Sequence, residues 1–505
     1  MSLRQRLEMA SRGDSHKWWA FAAVSVGVFM STLDISIVNI ALPRVMTDLG
    51  TQLGAVQWVV LANLLSMGAL LLAFGRLADV LGRKRVYVAG FIVFVIGQLL
   101  AGLSQNVVQL ALSRAIAGVG GAMIQANGTA IIAAVFPPEE RGKALGANGT
   151  IVSMGLIAGP TIGGIITDAL GWRWVFFAAI PVGLLAMTFA VAILQESRIS
   201  LPQVRGEAFD WLGSALWAGT ILALVVGLNR GPALGWNSPA IFGLFVAAGA
   251  LGVSFLVIEL KSRYPALDLR LFRSWGFSLG NSASLFSFIA FQSNVFLTPF
   301  YLQISRGLSA RDAGLVMMAT PGAMALVAPV SGRLSDRYGS RAISTVGLAV
   351  VGVGLWIMSR VTTADAGAVG IVAALLLLGM GMGMFQSPNN AFIFASVPRD
   401  RYGTTSGFLA TMRNVGSSLG IAIWGAVVTG QLIASGFGSE LGGAVRDQDL
   451  GRQVLPVFLN SYHLALVGAV GVIVAGMAAS AVRGAPPAQP SPQSEEPSRQ
   501  ARVQR

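Results

Sequence analysis

A chain of 505 residues that is 54% hydrophobic and only 11% charged, with a mean hydropathy of +0.68, departs from soluble proteins, in which about a quarter of residues are charged. No polar block is long enough to build a soluble core, and the formal charge of +13 is scattered between apolar runs, which argues against a nucleic-acid-binding patch. With no cysteine there is no disulfide or thiol chemistry to read.

Residues 1–17, "MSLRQRLEMASRGDSHK", form a polar, basic N-terminal segment. No small-residue cleavage site follows the first apolar run, which therefore reads as an uncleaved span rather than a signal peptide. Apolar runs of the length that crosses a bilayer, about 20 residues, then recur along the whole chain. They predict an all-α integral membrane protein with spans centred near residues 29, 67, 95, 120, 154, 183, 221, 250, 288, 321, 351, 380, 417 and 471. Between the last two, residues 431–458 are expected to form the longest outer segment. The tail 483–505 is rich in Pro, Ser and Gln and reads as disordered.

An even number of spans puts both termini on one side. The termini and the loops on that side carry 25 Lys and Arg, against eight opposite: Arg44, Arg173, Arg230, Arg306, Arg311, Arg360, Arg446 and Arg452. The positive-inside bias then predicts cytoplasmic termini. Arg114 and Arg413 remain inside spans, and Asp34 is the acid placed well within the membrane.

The chain repeats itself. "GRLADVLGRK" at 75–84 returns as "GRLSDRYGSR" at 332–341, and Gln125, Pro137, Gly142, Gly146 and Gly155 are echoed by Gln386, Pro398, Gly403, Gly407 and Gly416. Such parallel halves are a common transporter plan, with the substrate site between them near the midplane. The division expected is a six-helix half over 18–200, two extra helices over 201–262 and a second six-helix half over 263–482.

These segments together resemble the major facilitator superfamily, in its fourteen-helix drug:proton antiporter branch. The resemblance runs from about residue 18 to 482 and rests on motifs in order: "LDISIVNIALP" in the first helix, "GRLADVLGRKR" after the second, "SRAIAGVGGA" at 113–122, "GLIAGPTIGG" at 155–164, and "FDWLG" at 209–213 with "LDLRLFRSWGF" at 267–277 around the extra helices. Three departures stand out. Ala117 occupies a position that is usually Gln, Ala179 one that is usually Asn, and no further membrane acid appears in the later helices. The resemblance implies a multidrug exporter, without cofactor, using the proton as coupling ion.

The motifs also carry their own physics. Asp34 lies nine residues from Pro43, about 13 Å along the helix, and Arg114 seven residues from Val107, about 10 Å. The two reach similar depth. A carboxylate at a helix centre costs about 2.5–3.5 kcal/mol on insertion scales, and pairing offsets that cost. Pairing favours the charged form and desolvation the neutral one, a competition that proton coupling can exploit; a static ion pair fixing two helices is the alternative.

In the repeated loop, Gly75 and Gly82 permit a tight turn, and Asp79 can pair with Arg83 or a helix N-terminus. The resemblance implies a conformational latch, with Gly332, Asp336, Gly339 and Arg341 in the second copy; a simple positive anchor is the plainer reading. Gly155, Gly159 and Gly163, at four-residue spacing beside Pro160 and Gly164, allow close helix packing, and the resemblance attaches export to this antiporter motif.

Candidate cavity residues are Gln57, Trp58 and Asn63 in the second span, Gln125 and Asn148 in the fourth and fifth, Asn281, Phe291 and Gln292 in the ninth, Gln386, Asn389 and Asn390 in the twelfth, and Arg413. A mainly apolar cavity with few polar contacts suits amphipathic or cationic drugs better than sugars. No nucleotide-binding loop, zinc cluster or hydrolase triad can be assembled, so neither nucleotide nor metal is expected and the chain does not read as an enzyme. The expectation is a monomeric multi-pass exporter of the inner cell membrane that trades protons for small molecules. A dedicated exporter of one metabolite, antibiotic or lipid and a non-transporting membrane sensor are the rivals.

Overall fold

The computed structural model describes residues 16–199, 210–262, 269–363, 367–398, 401–438, 441–443 and 448–484. Its long helices are α1 His16–Asp48, α2 Trp58–Leu81, α3 Arg83–Leu103, α4 Val107–Val135, α5 Pro138–Leu170, α6 Arg173–Ile193, α7 Trp211–Leu234, α8 Pro239–Lys261, α9 Trp275–Phe300, α10 Ala319–Tyr338, α11 Ser340–Val361, α12 Ala368–Ala395, α13 Tyr402–Ala434 and α14 Gln448–Val482. All fourteen are long and apolar enough to span a bilayer, and no strand occurs among the described residues. This is an all-α multi-pass membrane protein.

The start of α1 and the end of α14 mark what is here the terminal side of the helix bundle; the opposite is the far side. Helix starts are fixed by side chains that take up orphan N–H groups. Asn106 accepts from Gln109 N at α4, Asp210 from Gly213 N at α7 and Ser274 from Phe277 N at α9. After Pro299, α9 widens into a π-helical turn, Tyr301–Ser305, and a short helix, Ala310–Met317, leads into α10. The expected outer segment at 431–458 is shorter in the fold, because α13 continues to Ala434 and α14 begins at Gln448.

The repeat is visible in the packing. Gly155 of α5 abuts Phe29 and Thr32 of α1, and Gly159 abuts Ser36. In the same way Gly416 of α13 abuts Leu285 and Phe288 of α9, and Gly420 abuts Gln292. Ser36 and Gln292 thus hold equivalent places. Two residues earlier stand Asp34 in the first half and Ala290 in the second, so the carboxylate has no counterpart.

Helices α7 and α8 pack on each other, and α7 lies against both α2 and α13. Asn229 docks it: its amide donates to Gln57 Oε1 at 2.7 Å and to Gly54 O at 3.1 Å, and its oxygen accepts from Trp58 Nε1 at 2.9 Å. A cavity of about 420 Å³ opens beside the contact of α7 with α13, lined by Leu228, Trp236, Ile423 and Val427 among others.

One large buried cluster joins the halves. It runs from Ile37, Ile40 and Leu42 of α1 and Val59 of α2 to Phe296 of α9, Ala313 of the short helix Ala310–Met317 and Val428 of α13. The terminal-side ends pack as separate clusters instead: Val24, Phe91 and Ile131 in the first half, Phe277, Ile393 and Phe408 in the second. The two halves are therefore packed together toward the far side.

Candidate functional site

Asp34 and Arg114 meet where depth alone suggested. Arg114 donates from Nη1 to Asp34 Oδ1 and from Nη2 to Oδ2, both at 2.9 Å, a bidentate pair in which the Asp34 and Arg114 side chains are 4% and 2% exposed. Arg–carboxylate forks of this kind are the strong charge-assisted bonds. The rest of the guanidinium is also occupied. Nε donates to Val59 O at 3.4 Å, Phe176 places its ring 5.7 Å from Cζ, and Asn63, with its oxygen turned inward, accepts from Nη2 at 3.1 Å and from Gly118 N at 3.3 Å.

A third residue completes the group. Gln98 of α3, fully buried, donates from Nε2 to Asp34 Oδ1 at 2.6 Å, while its Oε1 accepts from Arg114 Nη1 at 3.4 Å. Carboxylate, guanidinium and amide form a closed triangle across α1, α3 and α4. A polar residue within the run "FVIGQLLAGL" is the signal in the sequence that marks Gln98.

The loop motif folds back on its own half. Asp79 accepts from Arg83 Nε at 3.1 Å and Nη2 at 3.0 Å, and Arg83 Nη1 reaches Ala130 O at 3.1 Å. Gly82 takes φ +101°, which an L side chain rarely adopts, and Gly339 repeats it at +85°. Glu196, beyond α6, accepts from Lys84 N at 3.2 Å and lies against Gly82. Gly75 faces open space and Gly332 approaches Ser387. Arg341 is exposed, and the side chain of Asp336 lies outside the described residues. Beside the second loop, at the start of α11, sits Arg483, assigned by composition to the tail yet fully buried. It donates to Asn389 Oδ1 and, at 3.0 Å, to Ser340 O, with Phe392 4.3 Å beneath it.

The glycine-rich stretch of α5, residues 155–164, does two jobs. Gly155, Gly159 and Gly163 seat α5 on α1, the last against Ile37 and Ile40, while Gly164 and the carbonyl of Pro160 face the other half at Ala310 and Gly314.

The cavity candidates divide. Gln57, Trp58 and Asn63 are engaged in the α7 dock and the Arg114 shell, and Asn389 is bound to Gly280 O and Arg483. Phe291 packs on the main core, and Gln292 is buried beside Gly420. Gln125, Asn148 and Asn281 each keep a buried side-chain oxygen with no hydrogen bond among the described residues. Gln386, Asn390 and Arg413 are half-buried.

Comparison with known proteins bears on the family and the fold. The sequence model of the Major Facilitator Superfamily matches residues 24–421. The chain is 35% identical over 410 residues to a riboflavin transporter, RibZ, of Clostridioides difficile, covering 81% of this chain and 87% of that one. It is 31% identical over 414 residues to multidrug resistance protein Stp of Mycobacterium tuberculosis, covering 82% and 76%. Its fold matches a bacterial homologue of the human lysosomal transporter Spinster, solved inward-facing and occupied, with TM-score 0.65 at 15% identity over 93% of this chain and 97% of that one.

Proposed function

The chain belongs to the Major Facilitator Superfamily, and on that premise we propose that it is a proton-coupled antiporter exporting small amphipathic or cationic compounds by alternating access. The observation that carries the proposal is the buried triangle of Asp34, Arg114 and Gln98. A carboxylate at this depth is tolerated ionised only while its charge is met. A proton can meet the charge of Asp34 as well as Arg114 can, so movement of α4 against α1 exchanges one partner for the other. In this reading Asp34 loads a proton from the far side and releases it to the terminal side, which the distribution of Lys and Arg makes cytoplasmic. The membrane is the inner cell membrane and the working unit a monomer. Gln125, Asn148 and Asn281 supply oxygens that a cationic substrate can satisfy.

A second reading is a transporter dedicated to one compound, favoured by the likeness to a riboflavin transporter and by the absence of a second-half counterpart of Asp34. A membrane sensor would bind ligand without flux.

The test is proton movement in proteoliposomes holding a pH gradient, with lipophilic cations added to the parent protein and to Asp34→Asn. Cation-triggered flux in the parent that disappears in Asp34→Asn supports antiport through this carboxylate. Undiminished coupled flux in the variant overturns its role, and silence from both, with flux on adding riboflavin, favours the dedicated reading.

A further inference from the structure

We infer that Asp168 is the latch that holds the far side shut, a positioning residue for transport that touches no substrate. The inference rests on the alternating-access part of the proposed function. Asp168 stands in the last turn of α5, exposed, one turn beyond Gly164. Its two oxygens divide the first free N–H groups of the helix Ala310–Met317: Oδ1 accepts from Ala310 N at 3.1 Å and Oδ2 from Arg311 N at 2.8 Å. Ser309 Oγ takes the next donor, Asp312 N, at 3.0 Å. The opening turn of that helix, whose N–H groups have no partner within the helix, is thus completed from the opposite half of the molecule.

Around the carboxylate the seam is largely backbone. Beneath Asp168 the two halves touch backbone to backbone, because Gly164 lies on the carbonyl of Ala310 and Gly314 on that of Pro160. Nearby, Gln303 Nε2 donates to Ile40 O at 2.8 Å. A glycine seam fits closely but is neutral; the carboxylate against the positive end of a helix adds a directional, charge-assisted hold. Opening the far side must break both bonds at once, since both donors sit on one rigid helix. Asparagine at 168 keeps one acceptor and loses the charge; alanine loses both.

The chain has no cysteine, so spin labels can be placed cleanly at Leu170→Cys on α5 and Leu315→Cys on the facing helix, both exposed. Distances between them are measured on the full chain in lipid nanodiscs without substrate, in the parent, Asp168→Asn and Asp168→Ala. The expected result is a short distance dominating the parent and a longer one growing through Asn to Ala, by about fivefold in the alanine variant. Identical distributions in all three would overturn the latch, whatever the transport assay gives. A graded shift establishes it even if no proton flux is ever found, in which case the coupling proposal alone falls.

Discussion

Gly97 of α3 lies so close to Ala117 of α4 that a Cβ on the glycine would strike the alanine's backbone nitrogen and Cα. That contact explains how the buried triangle is assembled. The small side chain of Ala117 lets α3 approach until the neighbouring Gln98 reaches Asp34 at 2.6 Å. Gly97→Leu should therefore push α3 and α4 apart and withdraw Gln98 from the carboxylate. Overpacking of this kind costs about 1–3 kcal/mol, readable as a lower melting temperature of the purified protein. Gln98→Leu, which leaves the packing contact intact, should lose coupled flux with a smaller change in melting.

The Asp34–Arg114 pair should behave as a unit. Arg114→Gln leaves a buried carboxylate without its cation, and breaking such a pair from one side costs about 3–5 kcal/mol. Adding Asp34→Asn removes the stranded charge and should recover much of that loss. The measurement is a double-mutant cycle on thermal or denaturant stability. Additive losses would show that the two side chains are independent and that the bidentate geometry contributes little.

How much of this was legible in the sequence depends on the cost of each residue to the membrane. Charges inside apolar runs are expensive, so Asp34 and Arg114 announced themselves, and their similar depth followed from counting along each helix. Neutral amides are cheaper and gave no comparable signal. Gln98 and Asn229 went unnoticed for that reason, and Gln57, Trp58 and Asn63 looked like cavity residues although they bind neighbouring helices. Arg483 was hidden by its surroundings, since a Pro- and Ser-rich tail follows it at once. Asp168 lies at a helix end, where an acid is ordinary, and only the fold brings Ala310 and Arg311 to it.

Asn229 carries hydrogen bonds that dock α7 on the second span, which makes it a test of the extra helices' independence. Asn229→Leu removes three bonds and leaves the Gln57 oxygen buried without its donor. An orphaned buried polar group costs about 1–3 kcal/mol. The loss should appear as reduced stability with proton coupling at Asp34 retained, because the triangle contains no residue of α7. Flux abolished in a protein that still folds would instead place α7 within the transport cycle.

The two copies of the loop motif allow a cleaner separation of strain from crowding. Gly82 and Gly339 share positive φ, at +101° and +85°, so alanine at either position is strained by its backbone alone. Their surroundings differ: a Cβ at Gly82 would stand 3.0 Å from the Glu196 carboxylate, whereas Gly339 has open space. Gly339→Ala should cost about 1–3 kcal/mol. Gly82→Ala should cost more, and it should also displace Glu196 from the Lys84 amide at the start of α3. Stability of the two variants side by side, with Gly82→Ala repeated in a Glu196→Ala background, reads the difference. If the second change removes the excess cost, crowding against Glu196 accounts for it; an excess that persists assigns it to the backbone of this turn.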